Sequence, residues 1–322
     1  MKVSYYNTEE HEGGQPVRVL SQNTKKWFKE VYPNFENTEL KKAIEEFGLY
    51  EEISIIERED KIATPAFVGS FKIIQIQETY LSLLWCLSYS LTFLYDKSIH
   101  EPRTKENFIF TVKLNEQIKK AHDLFDYGLS IIDTFNPWDK ENLPNPEFYD
   151  ANEDEYIEKA NGVYLHAVNF VLVHELGHVL LGHIDSDIKN DEKGVKISNE
   201  IILQDEIDAD NFSFERMFKS TKHLTNDHTA SVGLISALCS FIFFSNSMNG
   251  GDHPDPDLRL QTALEKLNLE DEDNLWGLSC LAIKLWSNKH RIAINWPNKV
   301  ETYKDLFYLT MEQLNNLKSA EG

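Results

Sequence analysis

The residues of this chain whose types and spacing can do chemistry are His174-Glu175-Leu176-Gly177-His178. On a helix, residues four apart lie one turn above each other on one face. Two imidazoles so placed can bind one Zn²⁺ at about 2.0–2.1 Å. Glu175 projects beside His174, within reach of a water on such a metal, where a carboxylate serves as general base and not as ligand. The surrounding run, residues 163–181, is apolar on nearly every side, which is the pattern of a buried helix. Burying two imidazoles and a carboxylate without partners is costly, and a shared cation removes that cost. Gly177 costs about 1 kcal/mol relative to Ala in mid-helix but leaves room for another backbone or a substrate to approach. The competing interpretation is a pair of hydrogen-bonded core histidines.

A third ligand must come from elsewhere. His183 lies five residues past His178, so on a continuing helix it points away from His174; a place capping the helix C-terminus suits it better than ligation. Glu206 is the stronger candidate. In Gln204-Asp205-Glu206-Ile207-Asp208-Ala209-Asp210, Glu206 and Asp210 are four apart and share a face with Ile202, Leu203, Ala209, Ser213 and Met217. Small Ala209 and Ser213 allow that face to pack closely on the helix bearing His174. Glu206 is then the third ligand. Asp210 accepts the N–H of a ligand imidazole and fixes its tautomer. Asp205 is the alternative ligand; otherwise Asp205 and Asp208 are solvent charges.

The segment His253-Pro254-Asp255-Pro256-Asp257-Leu258-Arg259 has two readings. His253 is a donor for the oxyanion of a tetrahedral intermediate, and Arg259 pairs with Asp210 or Glu206 or holds a substrate carboxylate. Alternatively, the segment is a turn followed by a helix-start arginine.

In this order, HExxH at 174–178, Glu206 to Asp210 and His253 to Arg259, the motifs resemble those of gluzincin-type zinc metallopeptidases, including the HtpX and CAAX-prenyl-protease family. Members of that family carry transmembrane spans, which are not expected here. A longer resemblance takes in Trp85, Tyr89, the Pro-rich loop at 138–146 and the HELGH helix. It is to the peptidase family of the phage-exclusion protein Lit, whose prototype cleaves elongation factor Tu when a phage capsid peptide triggers it. The resemblance implies a zincin-like core with Zn²⁺ held by His174, His178 and Glu206. It also implies Glu175 as base, His253 or Arg259 at the oxyanion, a protein or peptide substrate, an activating peptide or protein as trigger, and a part in phage defence. Two other functions remain open: a repressor-cleaving protease of the ImmA/IrrE type, and a non-catalytic zinc scaffold that binds a partner.

The elements that must position these residues read as mainly α with some β, an α+β chain. Residues 1–65 form an N-terminal α/β segment, regulatory or packed on the core, and 66–322 the zinc metallopeptidase domain. Residues 17–19 and 53–56 read as strands, 39–47 as a helix ended by Gly48, and 107–114 as a strand. Residues 71–95 are a strand, a helix, or one followed by the other. Helices are expected over 116–135, from an acidic start at 152–155 to about Gly182, and over 198–219, 230–245, 258–267, 275–286 and 303–317. Loops are expected over 136–146, 185–193 and 249–254.

Composition bounds the partners. Asp plus Glu number 53 against 32 Lys plus Arg, a formal charge of −21. Such a surface repels phosphate backbones, so neither nucleic acid nor anionic lipid is an expected partner, and a basic partner is favoured. The cysteines Cys86, Cys239 and Cys280 are odd in number and sit in apolar runs, as buried thiols of a reducing compartment do. The first residues lack an apolar signal region, and the apolar runs at 80–95 and 230–245 are shorter than a membrane span. A cytoplasmic protein with two buried core helices is expected.

Overall fold

The computed structural model describes residues 15–30, 53–56, 60–71, 73–150, 154–218, 228–251, 253–297 and 299–321. The helix expected over 39–47, the first residues, and Asn152, Glu153 and Asp252 lie outside the described residues. Helices make up 68% of the structure beside one small sheet, so the protein is mainly α.

A 3₁₀ turn (Pro16–Leu20) leads into α1 (Ser21–Glu30). Strands β1 (Ile53–Ile56), β2 (Ala66–Val68) and β3 (Ile74–Gln77) form a sheet in the order β1-β3-β2. β1 is parallel to β3, with Ile53 opposite Ile74; β2 is antiparallel to it, with Phe67 opposite Gln75. The sheet therefore joins residues on both sides of position 65. β3 runs straight into α2 (Glu78–Tyr95), so the 71–95 segment is a strand followed by a helix. Next come α3 (Val112–Asp133), α4 (Glu155–Leu180), α5 (His183–Glu192), α6 (Asn199–Phe218), α7 (His228–Ile242), α8 (Pro256–Lys266), α9 (Asn274–His290) and α10 (Tyr303–Glu321).

Helix α4 is the axis. It packs on α7, α6, α2 and α1 and meets β2 and β3. That is why its apolar residues need no single face: Val168, Leu172 and Ala167 are each 0% exposed. It is also the one helix among the described residues long and apolar enough to cross a membrane, and most of it is buried inside the protein. The runs at 80–95 and 230–245 are buried helices as well. Trp85 on α2 donates to Asn161 on α4 (2.8 Å) and meets Trp138 of the Pro-rich loop edge to face. Glu78, at the start of α2, is buried against Arg18, which ties the N-terminal turn to the core. All three cysteines are free and buried.

Three local expectations are corrected. Residues 17–19 are helical, not extended: Pro16 presets a helical φ, and Val17, Val19 and Leu20 are all buried, a pattern no alternating strand gives. Residues 107–114 are not a strand. The Thr111 hydroxyl accepts the Leu114 N–H and starts α3 at Val112, while Ile109 and Phe110 are exposed with no strand beside them among the described residues. The charged stretch 185–193 belongs to α5 and its end, not a loop. Asp185 in the first turn and Lys189 in the last complement the helix dipole.

Candidate metal centre and active site

The site lies where the C-terminal turns of α4 cross α6. Gly177 sets the closeness of that crossing. A Cβ there would stand 3.2 Å from Phe212 and 3.3 Å from the Cα of Ala209, so the absent side chain lets α6 approach. Ser213 donates to the Phe170 carbonyl at 2.8 Å and fixes the register. Glu206 and Asp210 thereby face His174 and His178.

Donor atoms of three residues converge. His174 Nε2 and His178 Nε2 are 3.2 Å apart; Glu206 lies 3.4 Å from the first through Oε2 and 3.5 Å from the second through Oε1. Ligands at about 2.0–2.1 Å around a tetrahedral cation are separated by about 3.3 Å. Glu206 thus meets each histidine with a different oxygen, at spacings that suit a small divalent cation, and this donor triangle of three residues can hold a metal ion. Two ring nitrogens facing each other also need a cation or a shared proton between them. The C-terminal end of α4 adds its negative dipole.

Each imidazole has a partner at its other nitrogen. His174 Nδ1 is 2.9 Å from Asp210 Oδ1, so the hydrogen sits on Nδ1 and Nε2 is turned to the triangle. Arg259 donates to both Asp210 oxygens, from Nε at 2.8 Å and Nη2 at 2.7 Å, and its guanidinium lies 4.4 Å over the Phe241 ring. Burial opposes charge on Asp210, but Arg259 and His174 outweigh it and hold its pKa at about 2. Burial likewise opposes charge on His174, yet Asp210 and Glu206 raise its pKa to about 9. His178 goes the other way: burial and the neighbouring His174 bring it down to about 4. Its Nδ1 faces His183 Nδ1 at 3.1 Å, and His183 Nε2 lies 3.4 Å from Asp205 Oδ1. Burial disfavours the Glu206 carboxylate, but hydrogen bonds to His174 and His253 reverse this and hold its pKa far below the usual range.

Glu175 lines a cavity of about 530 Å³ with His174, His178 and Glu206. Burial, aided by the Glu206 charge and opposed by His174, pushes its pKa to about 7. The Val68 backbone hydrogen-bonds its carboxylate, so β2 presents the edge opposite β3 to the site. Ala66, Phe67, Phe170, Phe241 and Phe244 supply apolar wall. His253 stands at the rim, its side chain 64% exposed, with Nδ1 3.2 Å from Glu206 Oε2; that hydrogen bond raises its pKa.

The residues singled out in the sequence thus meet at one place. Arg259 takes the first of its candidate roles, clasping Asp210. Asp208 and Asp205 are half-buried and not free solvent charges: Asp208 accepts from Gln204, and Asp205 turns to His183. His183 does not cap α4. Gly182, at φ +82°, reverses the chain, and His183 begins α5 folded back on His178. The helix end near Gly182 was legible, since a glycine just past an apolar helical run marks its end; the return of His183 onto His178 was not. The β2 edge had none, because its approach to Glu175 depends on long-range packing.

Comparison with known proteins places the chain in a family: the sequence model of Peptidase U49 matches residues 74–279, well over half of its length, and the chain belongs to that family. This is a peptidase family, in line with the Lit-type resemblance. The match starts at β3 and ends in α9, and so contains every residue of the donor triangle and its supports. No curated protein and no solved structure matches the chain.

Proposed function

We propose that this member of the Peptidase U49 family is a zinc-dependent endopeptidase that cuts a protein substrate with Glu175 as general base. The observation that carries this reading is the donor triangle of His174, His178 and Glu206, with the two Nε2 atoms 3.2 Å apart and the Glu206 oxygens 3.4 Å from one and 3.5 Å from the other, opening beside Glu175 onto the cavity. A zinc ion held by these residues supplies a Lewis acid that polarises a carbonyl and lowers the pKa of water.

The chain's own residues do the rest. An extended substrate segment pairs with the exposed edge of β2 through main-chain hydrogen bonds. The apolar wall of Phe67, Phe170, Phe241 and Phe244 takes an apolar side chain next to the scissile bond, and the net charge of −21 favours a basic segment. Glu175 removes a proton from the attacking water and delivers it to the leaving amide nitrogen. His253, beside Glu206, donates to the carbonyl oxygen as negative charge develops there. Asp210 and Arg259 hold His174 in place and do not touch the reacting atoms. A role in phage exclusion under a peptide or protein trigger is supported by the Lit-type resemblance alone.

Metal content and cleavage test the reading together. Purified wild type is expected to carry about one zinc per chain by mass spectrometry, and Glu206→Ala to lose or loosen it. Glu175→Gln should keep the metal and the fold and abolish cleavage. Cleavage that survives Glu175→Gln would overturn the assignment of the base. Absence of zinc even after reconstitution would overturn the metallopeptidase reading.

A further inference from the structure

We infer that His183 is a positioning residue for the metal centre: it accepts the Nδ1–H of His178 and hands the constraint on to Asp205, so that His178 presents Nε2 to the donor triangle. The inference rests on the reading of that triangle as a metal site.

Two imidazole nitrogens 3.1 Å apart must share one hydrogen, since two hydrogens or two lone pairs would repel. For His178 Nε2 to offer a lone pair to a cation, the hydrogen must sit on His178 Nδ1. His183 Nδ1 is then the acceptor, and its ring hydrogen sits on Nε2. That is the nitrogen facing Asp205 Oδ1 at 3.4 Å. Every group in the series His178, His183, Asp205 is thus satisfied in one direction only. The two rings meet at 71° with centroids 5.1 Å apart, so each points a nitrogen and not a face at the other.

The backbone is shaped for this contact. His183 is 8% exposed although it opens a short helix in which no other residue is buried. It reaches His178 because Gly182 adopts a left-handed conformation that a side chain would resist. A ligand role is excluded by position: His183 touches the ring nitrogen of His178 that faces away from His174 and Glu206.

Charge explains why an imidazole and not a second carboxylate stands here. Arg259 balances Asp210, which leaves the charges of Glu206 and Glu175 to face a divalent cation. A carboxylate against His178 would add an unbalanced charge, whereas His183 orients the ring without one and leaves the Asp205 charge one residue further out.

The test is zinc affinity of the full chain, measured by competition with a chromophoric chelator. The wild type comes first: failure to bind one zinc would sink the metal reading itself. Given wild-type binding, His183→Phe should bind zinc about 10–100-fold more weakly, the usual cost of losing a ligand's outer partner. His183→Asn, whose amide oxygen can stand near the Nδ1 position, should recover affinity to within a few-fold of wild type. Affinity unchanged in His183→Phe overturns the inference. So does equal weakening in both variants, which would mean packing alone. Asp205→Leu leaves both rings in place and carries the test if the His183 variants do not fold. A several-fold loss is expected there, and unchanged affinity would count against the relay.

Discussion

His174 and His178 sit one turn apart on the same helix, yet their surroundings drive them to opposite protonation. His174 is backed by a carboxylate that a buried arginine grips with two hydrogen bonds, and its pKa rises to about 9. His178 is backed by the His183 imidazole, and burial with the neighbouring His174 brings it to about 4. Without metal, one proton therefore suffices for the pair: it stays on His174 and bridges the 3.2 Å gap to His178. A cation entering the triangle displaces a single proton, at a position already bounded by Glu206. Two different supports thus produce a site that is complementary to a cation and tolerable without one. Two identical charged supports would not.

The contrast between the two histidines is lost most fully if the charged support is removed. Asp210→Ala orphans Arg259 and frees His174 to turn, and breaking one side of a buried pair costs about 3–5 kcal/mol. Denaturant unfolding of the metal-free protein should show that loss, and chelator competition a drop in zinc affinity of about 10–100-fold. Gly177→Ala strikes both supports through the crossing of α4 and α6. The new Cβ meets Phe212 and Ala209, and such overpacking costs about 1–3 kcal/mol, less the gain of about 1 kcal/mol in helix propensity. Zinc affinity should fall with stability, since Glu206 is carried on the displaced helix; a stabilised variant would contradict the packing argument.

His183→Asp makes the two supports alike. A carboxylate at His178 raises that ring's pKa, so zinc affinity should fall more steeply below pH 7 than in wild type, by a shift of about one pH unit in the binding midpoint. An unshifted profile would mean that the group at position 183 does not act on the His178 charge. The mildest expectation concerns the metal-free protein alone. A histidine raised from 6.5 to about 9 contributes stability that is full below pH 6.5 and lost as pH rises through about 9. Wild type should therefore melt progressively lower across that window relative to His174→Gln, and zinc should flatten the difference.

These two supports also differ in how far they could be read from the residues. The Asp210 side was visible because its chemistry repeats a helical period: Glu206 and Asp210 share a face for the same reason that His174 and His178 do. The His183 side was not visible. Extending α4 in register turns His183 away from His174, and only the reversal at Gly182 brings it back to His178. Asp205 looked like a solvent charge because its partner enters from a different helix. The long helices were legible from their apolar runs and caps. The segments at 17–19 and 107–114 were not, since β-branched residues report burial or exposure as readily as strand. The β2 edge, set against Glu175 by tertiary packing, left no local trace at all.

The clasp of Arg259 on Asp210 has a consequence for the moment of synthesis. The parts of the site enter the chain in the order β2, the HELGH helix, Glu206 with Asp210, and last Arg259, so a growing polypeptide carries both histidines long before it carries their complete support. Until α8 has emerged and docked, the Asp210 carboxylate lacks the Arg259 guanidinium that balances it. A ribosome-bound fragment ending before residue 259 is therefore expected to lack hydrolytic activity and to be harmless to the proteins around it.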